Sequence, residues 1–146
     1  MNFDWLSKNN DETVPTVGSI MDVSIPQLGI SKIVAKVDTG AFSGSLHAQD
    51  IKEFKGEGRK RQLQFRPYGS MHGLVSVEKY HRRSVKSSNG QATDRFAFNT
   101  DIVIEGKHYP MTITLSDRST MRYQMLIGRK FLKTHGFLVD VSLDNQ

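Results

Sequence analysis

Ser31-Lys32-Ile33-Val34-Ala35-Lys36-Val37-Asp38-Thr39-Gly40-Ala41 is the stretch on which the fold turns. Its apolar, β-branched run reads as a buried strand that enters Asp38 directly, and Thr39-Gly40 then reads as a turn. Outward from this strand, period-two alternation dominates. Gly18 to Pro26 sets Ile20, Val23 and Ile25 among polar residues, and Arg61 to Arg66 alternates Leu63 and Phe65 with polar neighbours. Leu74–Ser87 and Thr93–Glu105 flank Ser88-Asn89-Gly90, and Asn-Gly is a strong signal for a tight hairpin. Ile102–Glu105 and His108–Leu115 flank Gly106 as a second hairpin. Gln124–Ile127 is a short apolar strand. Gly128 to His135 is the one helical stretch, with Phe131 and Leu132 on its buried side, and Phe137–Val141 is a last strand. The expectation is an all-β domain closed as a barrel, with one short helix near the C-terminus.

The chain has 146 residues, enough for one domain with a substantial core and too few for two. Residues 1–16 are polar and read as a loose tail carrying Phe3 and Trp5; residues 17–146 form the domain. With no cysteine there is no disulfide framework, thiolate metal site or cysteine nucleophile. No apolar run approaches the roughly 20 residues of a membrane span. The first residues lack the basic end and apolar stretch of a secretory signal, so a cytoplasmic protein is expected. The net charge of +5 is uneven: Lys52 to Arg95 holds 11 of the 20 basic residues against Glu53, Glu57, Glu78 and Asp94. That excess attracts anions. No aromatic ladder or helix-turn-helix pattern accompanies it, which argues against sequence-specific nucleic-acid binding.

A carboxylate at the end of a core strand suits peptide hydrolysis if a second carboxylate comes close. Two carboxylates about 3 Å apart cannot both ionise, so they share a proton. The ionised one takes a proton from water, and the protonated one polarises the scissile carbonyl. Gly40 lets backbone and substrate approach, and the Thr39 hydroxyl is suited to locking the loop. Asp-Thr-Gly alone arises by chance in about one chain of this length in thirty, so it needs a second element. Met125-Leu126-Ile127-Gly128-Arg129, followed by the helix, is that element.

Val37-Asp38-Thr39-Gly40-Ala41 early and Leu126-Ile127-Gly128-Arg129 before a helix late resemble the retropepsin pattern of retroviral proteases. Ser45-Leu46-His47-Ala48, Arg82-Arg83-Ser84-Val85-Lys86-Ser87-Ser88-Asn89-Gly90, Leu115-Ser116-Asp117-Arg118 and Met121 extend the resemblance over nearly the whole domain. They are similar to a bacterial family of retropepsin-like proteins, often labelled ATP-dependent zinc proteases, whose members occur beside or fused to ATP-grasp glutamate ligases. The resemblance implies an aspartic peptidase that works as a homodimer, because the chain has one Asp-Thr-Gly. Asp38, Thr39 and Gly40 are then the catalytic loop. Ala41, Ser45, His47, Arg82, Arg83 and Asn89 are substrate-binding candidates, and Asp117, Arg118, Ile127, Gly128 and Arg129 support the site. The basic stretch and the ligase association point to an acidic, glutamate-rich peptide substrate.

Several features qualify this expectation. The chain has no His-Glu-x-x-His, no ligand-like spacing among His47, His72, His81, His108 and His135, and no phosphate-cradling glycine loop, so neither metal nor nucleotide cofactor is expected. Gly40-Ala41-Phe42-Ser43-Gly44 misses the serine-hydrolase elbow by one position. Retroviral enzymes carry an acid after Asp-Thr-Gly-Ala that pairs with the late arginine. Here the position is Phe42, so Arg129 needs another partner, for which Asp117 and the C-terminal region are candidates. His47 reads either as a residue supporting the site or as a satisfied structural histidine, and Asp117 as a structural ion-pair partner. A flap is expected within Tyr68–Ser88. The competing reading is a non-catalytic binding module that recognises acidic tails or RNA through its basic strands.

Overall fold

The computed structural model describes residues 14–86 and 89–143. Most of the expected tail, Phe3 and Trp5 included, and Ser87 and Ser88 of the first hairpin lie outside the described residues. The chain is mostly strand: β1 (Thr16–Val17), β2 (Ile20–Ile25), β3 (Ile30–Asp38), β4 (Gly44–Lys55), β5 (Arg61–Pro67), β6 (Val75–Val77), β7 (His81–Lys86), β8 (Ala92–Ile104), β9 (Lys107–Ser116), β10 (Met125–Gly128) and β11 (Leu138–Val139). Among the described residues there is one short α-helix, α1 (Arg129–Thr134), which buries Phe131 and Leu132.

Strand pairing runs in the order β10-β3-β2-β8-β9-β4 and returns to β10, which pairs with β3 on one side and β4 on the other. The interior of this ring holds Ile25, Leu46, Phe98, Ile102, Ile113, Met125 and Ile127, each nearly inaccessible to solvent. From Ala48 onward β4 pairs with β5, with a bulge between Gln49 and Lys52 at which Asp50 adopts a φ of 55°, and β5 pairs with β6. β7 pairs with β8 alone, so the β7–β8 hairpin projects from the ring. The parallel pair β1–β11 sits apart from the main sheet.

Both expected hairpins form. Lys86 lies opposite Ala92 across Asn89-Gly90, and Ile104 opposite Lys107 across Glu105-Gly106. Glu105 and Gly106 both have positive φ, 50° and 78°, the mirror-image turn that matches strand twist. One strand expectation differs, and one long strand was not anticipated. Leu74–Ser87 is not one strand: it breaks at Glu78–Tyr80, where the chain leaves β5 and joins β8. The twelve-residue β4 gave no alternation to read, because Gly44 to Ala48 are all buried between β9 and β10. Their polar members are satisfied inside, Ser45 by the Ser116 hydroxyl at 2.7 Å and His47 by the Arg118 amide at 2.8 Å.

Candidate active site

Asp38 is the last residue of β3, and β10 runs parallel beside it, with Ile127 opposite Val37 and Gly128 opposite Asp38. After Asp38 the backbone leaves the sheet and turns. Asp38 closes this turn itself: the Gly40 N–H donates to its Oδ1 at 2.9 Å and the Ala41 N–H to its carbonyl at 3.2 Å. The Thr39 hydroxyl, expected to lock the loop, is exposed and makes no hydrogen bond among the described residues. A short polar side chain accepting from the amide two residues on is what aspartate favours after a strand. The carboxylate is half-buried, with one oxygen engaged by the backbone.

The late segment buttresses this loop through backbone. The amide of Arg129 donates to the Ala41 carbonyl at 2.8 Å, and that of Lys130 to the Phe42 carbonyl at 3.1 Å. Gly128 is required by contact: a β-carbon there would lie 2.5 Å from the Phe42 carbonyl oxygen and 2.7 Å from that of Ser43. Real β-carbons do not approach backbone so closely, so any side chain would push the loop away.

Arg129 does not pair with Asp117. Its Nη1 donates to the Gly40 carbonyl at 3.2 Å, and its guanidinium lies 5.4 Å from the centre of the Phe42 ring. Where an acid would have made an ion pair, Phe42 offers a ring face to the same cation. Lys130 approaches that ring from 5.9 Å. Phe42 is thus a supporting residue hidden in the sequence, where it read only as a missing acid.

The other candidates fall into distinct places. His47 is buried, and its Nδ1 accepts the Arg118 amide, so a neutral ring carries its proton on Nε2. Asp117 Oδ1 is 3.7 Å from that accepting nitrogen and accepts the Ser119 amide at 2.9 Å, so the contact with His47 is not a hydrogen-bonded ion pair. Hydrogen bonds from Ser119 hold the Asp117 carboxyl below its ordinary value. Arg118 is buried, and its Nε donates to the Tyr123 carbonyl at 3.0 Å. Burial, and then the nearby Arg95, hold its pKa below the usual arginine value, while Asp38 acts in the opposite direction. Asn89 sits in the tip of the β7–β8 hairpin, its Oδ1 accepting the Gln91 amide at 3.1 Å.

Adjacent basic residues on β7 part company. Arg82 donates to Glu53 at 2.9 Å and lies over the Phe96 ring at 4.7 Å, and Tyr80 donates to the same carboxylate at 2.7 Å. The hydrogen bond from Tyr80, then that from Arg82, lowers the pKa of Glu53. Arg83 points to the other face, directly opposite Arg95. Among the described residues no three His, Asp or Glu side chains gather as metal ligands. Among the described residues no helix is long and apolar enough to cross a membrane.

The chain is similar to known proteins in sequence and in fold. Two curated relatives are named probable alpha-L-glutamate ligase. The one from Shewanella pealeana is 33% identical over 130 residues, covering 86% of this chain and 28% of its own. The one from Desulfotalea psychrophila is 33% identical over 119 residues, covering 78% and 25%. This chain therefore spans about a quarter of the length of those relatives. A crystal structure of a Legionella pneumophila protein of unknown function superposes with a TM-score of 0.72 at 26% identity, covering 92% of this chain and 98% of that one. Residues 16–145 match the RimB-like family, described as retropepsin-like aspartic endopeptidase RimB, and it is to this family that the chain belongs.

Proposed function

We propose that the chain is an aspartic endopeptidase in which two copies of Asp38, one from each subunit of a homodimer, activate a water molecule against a peptide bond. The observation that carries this reading is the Asp38 loop: a half-buried carboxylate at a strand end, held by the Gly40 amide and registered against Gly128. One carboxylate per chain cannot act as both base and acid, so the proposed site is complete only when a two-fold axis brings the loops together. Asp38, Thr39 and Gly40 form the catalytic loop in this reading. Ile127, Gly128 and Arg129 hold it in place, and Ala41 and the hairpin tip near Asn89 face the peptide. The ring of strand pairings acts as a closed barrel behind the loop, and the β7–β8 hairpin is the flap.

The basic hairpin favours an acidic peptide, and the relatives named as glutamate ligases suggest that ligase action supplies or shares that substrate. A cytoplasmic location suits such a pairing. The second reading, a non-catalytic module that recognises acidic tails, draws on the small share of those relatives that this chain covers. Peptide cleavage by wild type and Asp38→Asn separates the two. The endopeptidase loses roughly 1,000-fold or more in rate while keeping its fold, and activity per chain falls on dilution as dimers dissociate. Full activity in the Asn variant, or in a strict monomer, overturns the dyad.

A further inference from the structure

Arg83 and Arg95 face each other as a registered pair across the β7–β8 hairpin, both half-buried. Like charges directly opposite one another destabilise a strand pair. Neither arginine lies within ion-pair distance of an acid among the described residues, whereas Arg82, one position away, is matched to Glu53. Arg118, only 8% exposed, lies two residues beyond β9 and gives its Nε to a carbonyl rather than to a carboxylate. Its electrostatic neighbours are Arg95, which repels it, and Asp38, which attracts it. A cation withdrawn from water without a counter-ion is costly, and a second cation beside it raises that cost. Arg83 also borders an open cleft of about 310 Å³ together with Lys130 and with Ser43 and Gly44, the residues that follow the Asp38 loop in the chain.

We infer that Arg83, Arg95 and Arg118 form an anion subsite that takes a carboxylate side chain of the bound peptide close to the cut, with Arg118 as its inner wall. The inference rests on the peptidase reading and narrows it. Recognition of acidic side chains belongs to the Arg83 face of the hairpin, and the Arg82 face is a fastening. A substrate carboxylate supplies the charge that these three guanidinium groups lack and accepts from them in the bidentate geometry arginine favours. The empty subsite is self-repelling, so removing one arginine strengthens the folded protein while weakening binding. A purely structural arginine would do the reverse.

The test measures binding of a fluorescent glutamate-rich peptide, and of its glutamine analogue, to the Asp38→Asn protein, which binds without cutting. Arg83→Met, Arg95→Met and Arg118→Met are compared with Arg118→Lys and with the remote control Lys107→Met. Each Met variant is expected to lose about tenfold or more in affinity for the glutamate peptide and to leave the glutamine peptide unchanged. Arg118→Lys restores part of the loss, Lys107→Met loses nothing, and Arg95→Met melts at a higher temperature than its parent. Equal losses for the two peptides, or glutamate binding indifferent to all three arginines, overturns the subsite. If the arginines govern binding but the wild-type protein cuts neither peptide, the peptidase reading fails and the anion subsite stands. If it cuts both at equal rates and the arginines do not matter, the subsite fails and the peptidase reading stands.

Discussion

The Asp38 loop and the β7–β8 hairpin both project from the same sheet, yet they are held by opposite means. The loop is fastened by backbone: amides of Gly40, Ala41, Arg129 and Lys130 each meet an acceptor within residues 38–42, and Gly128 lies against it with no room for a side chain. The hairpin is fastened by its own ladder and, on one face, by side chains gathered on Glu53. Its other face carries Arg83 and Arg95, neither in an ion pair among the described residues. Backbone contacts set atoms to within a few tenths of an ångström, as a carboxylate pair sharing a proton requires. Charged side chains hold a position that depends on salt, pH and ligand, which suits selection of a substrate.

If backbone contact places the loop, Gly128→Ala should do the most damage. The new methyl group meets the backbone of Phe42 and Ser43, which cannot rotate away. A stability loss of about 3 kcal/mol is expected, the upper end for overpacking, with a loss of cleavage rate larger than the fraction unfolded explains. Urea titration alongside single-turnover cleavage reads both, and an Ala variant with wild-type stability would break the contrast. A smaller effect, about 1 kcal/mol, is expected for Arg129→Met, which removes a hydrogen bond to Gly40 and the cation over Phe42. A double-mutant cycle with Phe42→Leu should show the two residues coupled, and strict additivity would mean that the ring does not serve in place of an acid.

The smallest effect belongs to the fastened face of the hairpin. Hydrogen bonds from Tyr80 and Arg82 lower the folded-state pKa of Glu53. Its contribution is therefore present above the unfolded carboxylate value, about 4.3, and is lost as pH falls through the lower folded value. Glu53→Gln should melt at a lower temperature than wild type near neutral pH, and the gap should close below pH about 4. A gap that stays constant down to strongly acidic pH would show that Glu53 acts by packing rather than charge.

The early strand, the turn at Asp38, both hairpins and the α1 helix were legible because each depends on local pattern: apolar alternation, Asn-Gly or Gly at a turn, and Phe131-Leu132 after a glycine. Less local elements were not. The buried half of β4 holds Ser45 and His47 among its apolar residues, and only their partners Ser116 and Arg118, about 70 positions away, explain how such a segment lies inside. The break at Glu78–Tyr80 was hidden for the same reason, since nothing local says that β6 pairs with β5 and β7 with β8.

By itself the sequence determined that this is a strand-rich chain with one carboxylate loop and one glycine segment suited to support it, because strand period and turn chemistry act between neighbours. Only the tertiary structure decided what surrounds them. It laid β10 beside β3 so that Gly128 meets Asp38, gave Arg129 a ring and a carbonyl in place of an acid, and turned Arg82 and Arg83 to opposite faces of one hairpin. Two adjacent arginines carry the same charge on paper. On a strand, successive side chains point to opposite sides, so one found Glu53 and the other faces Arg95.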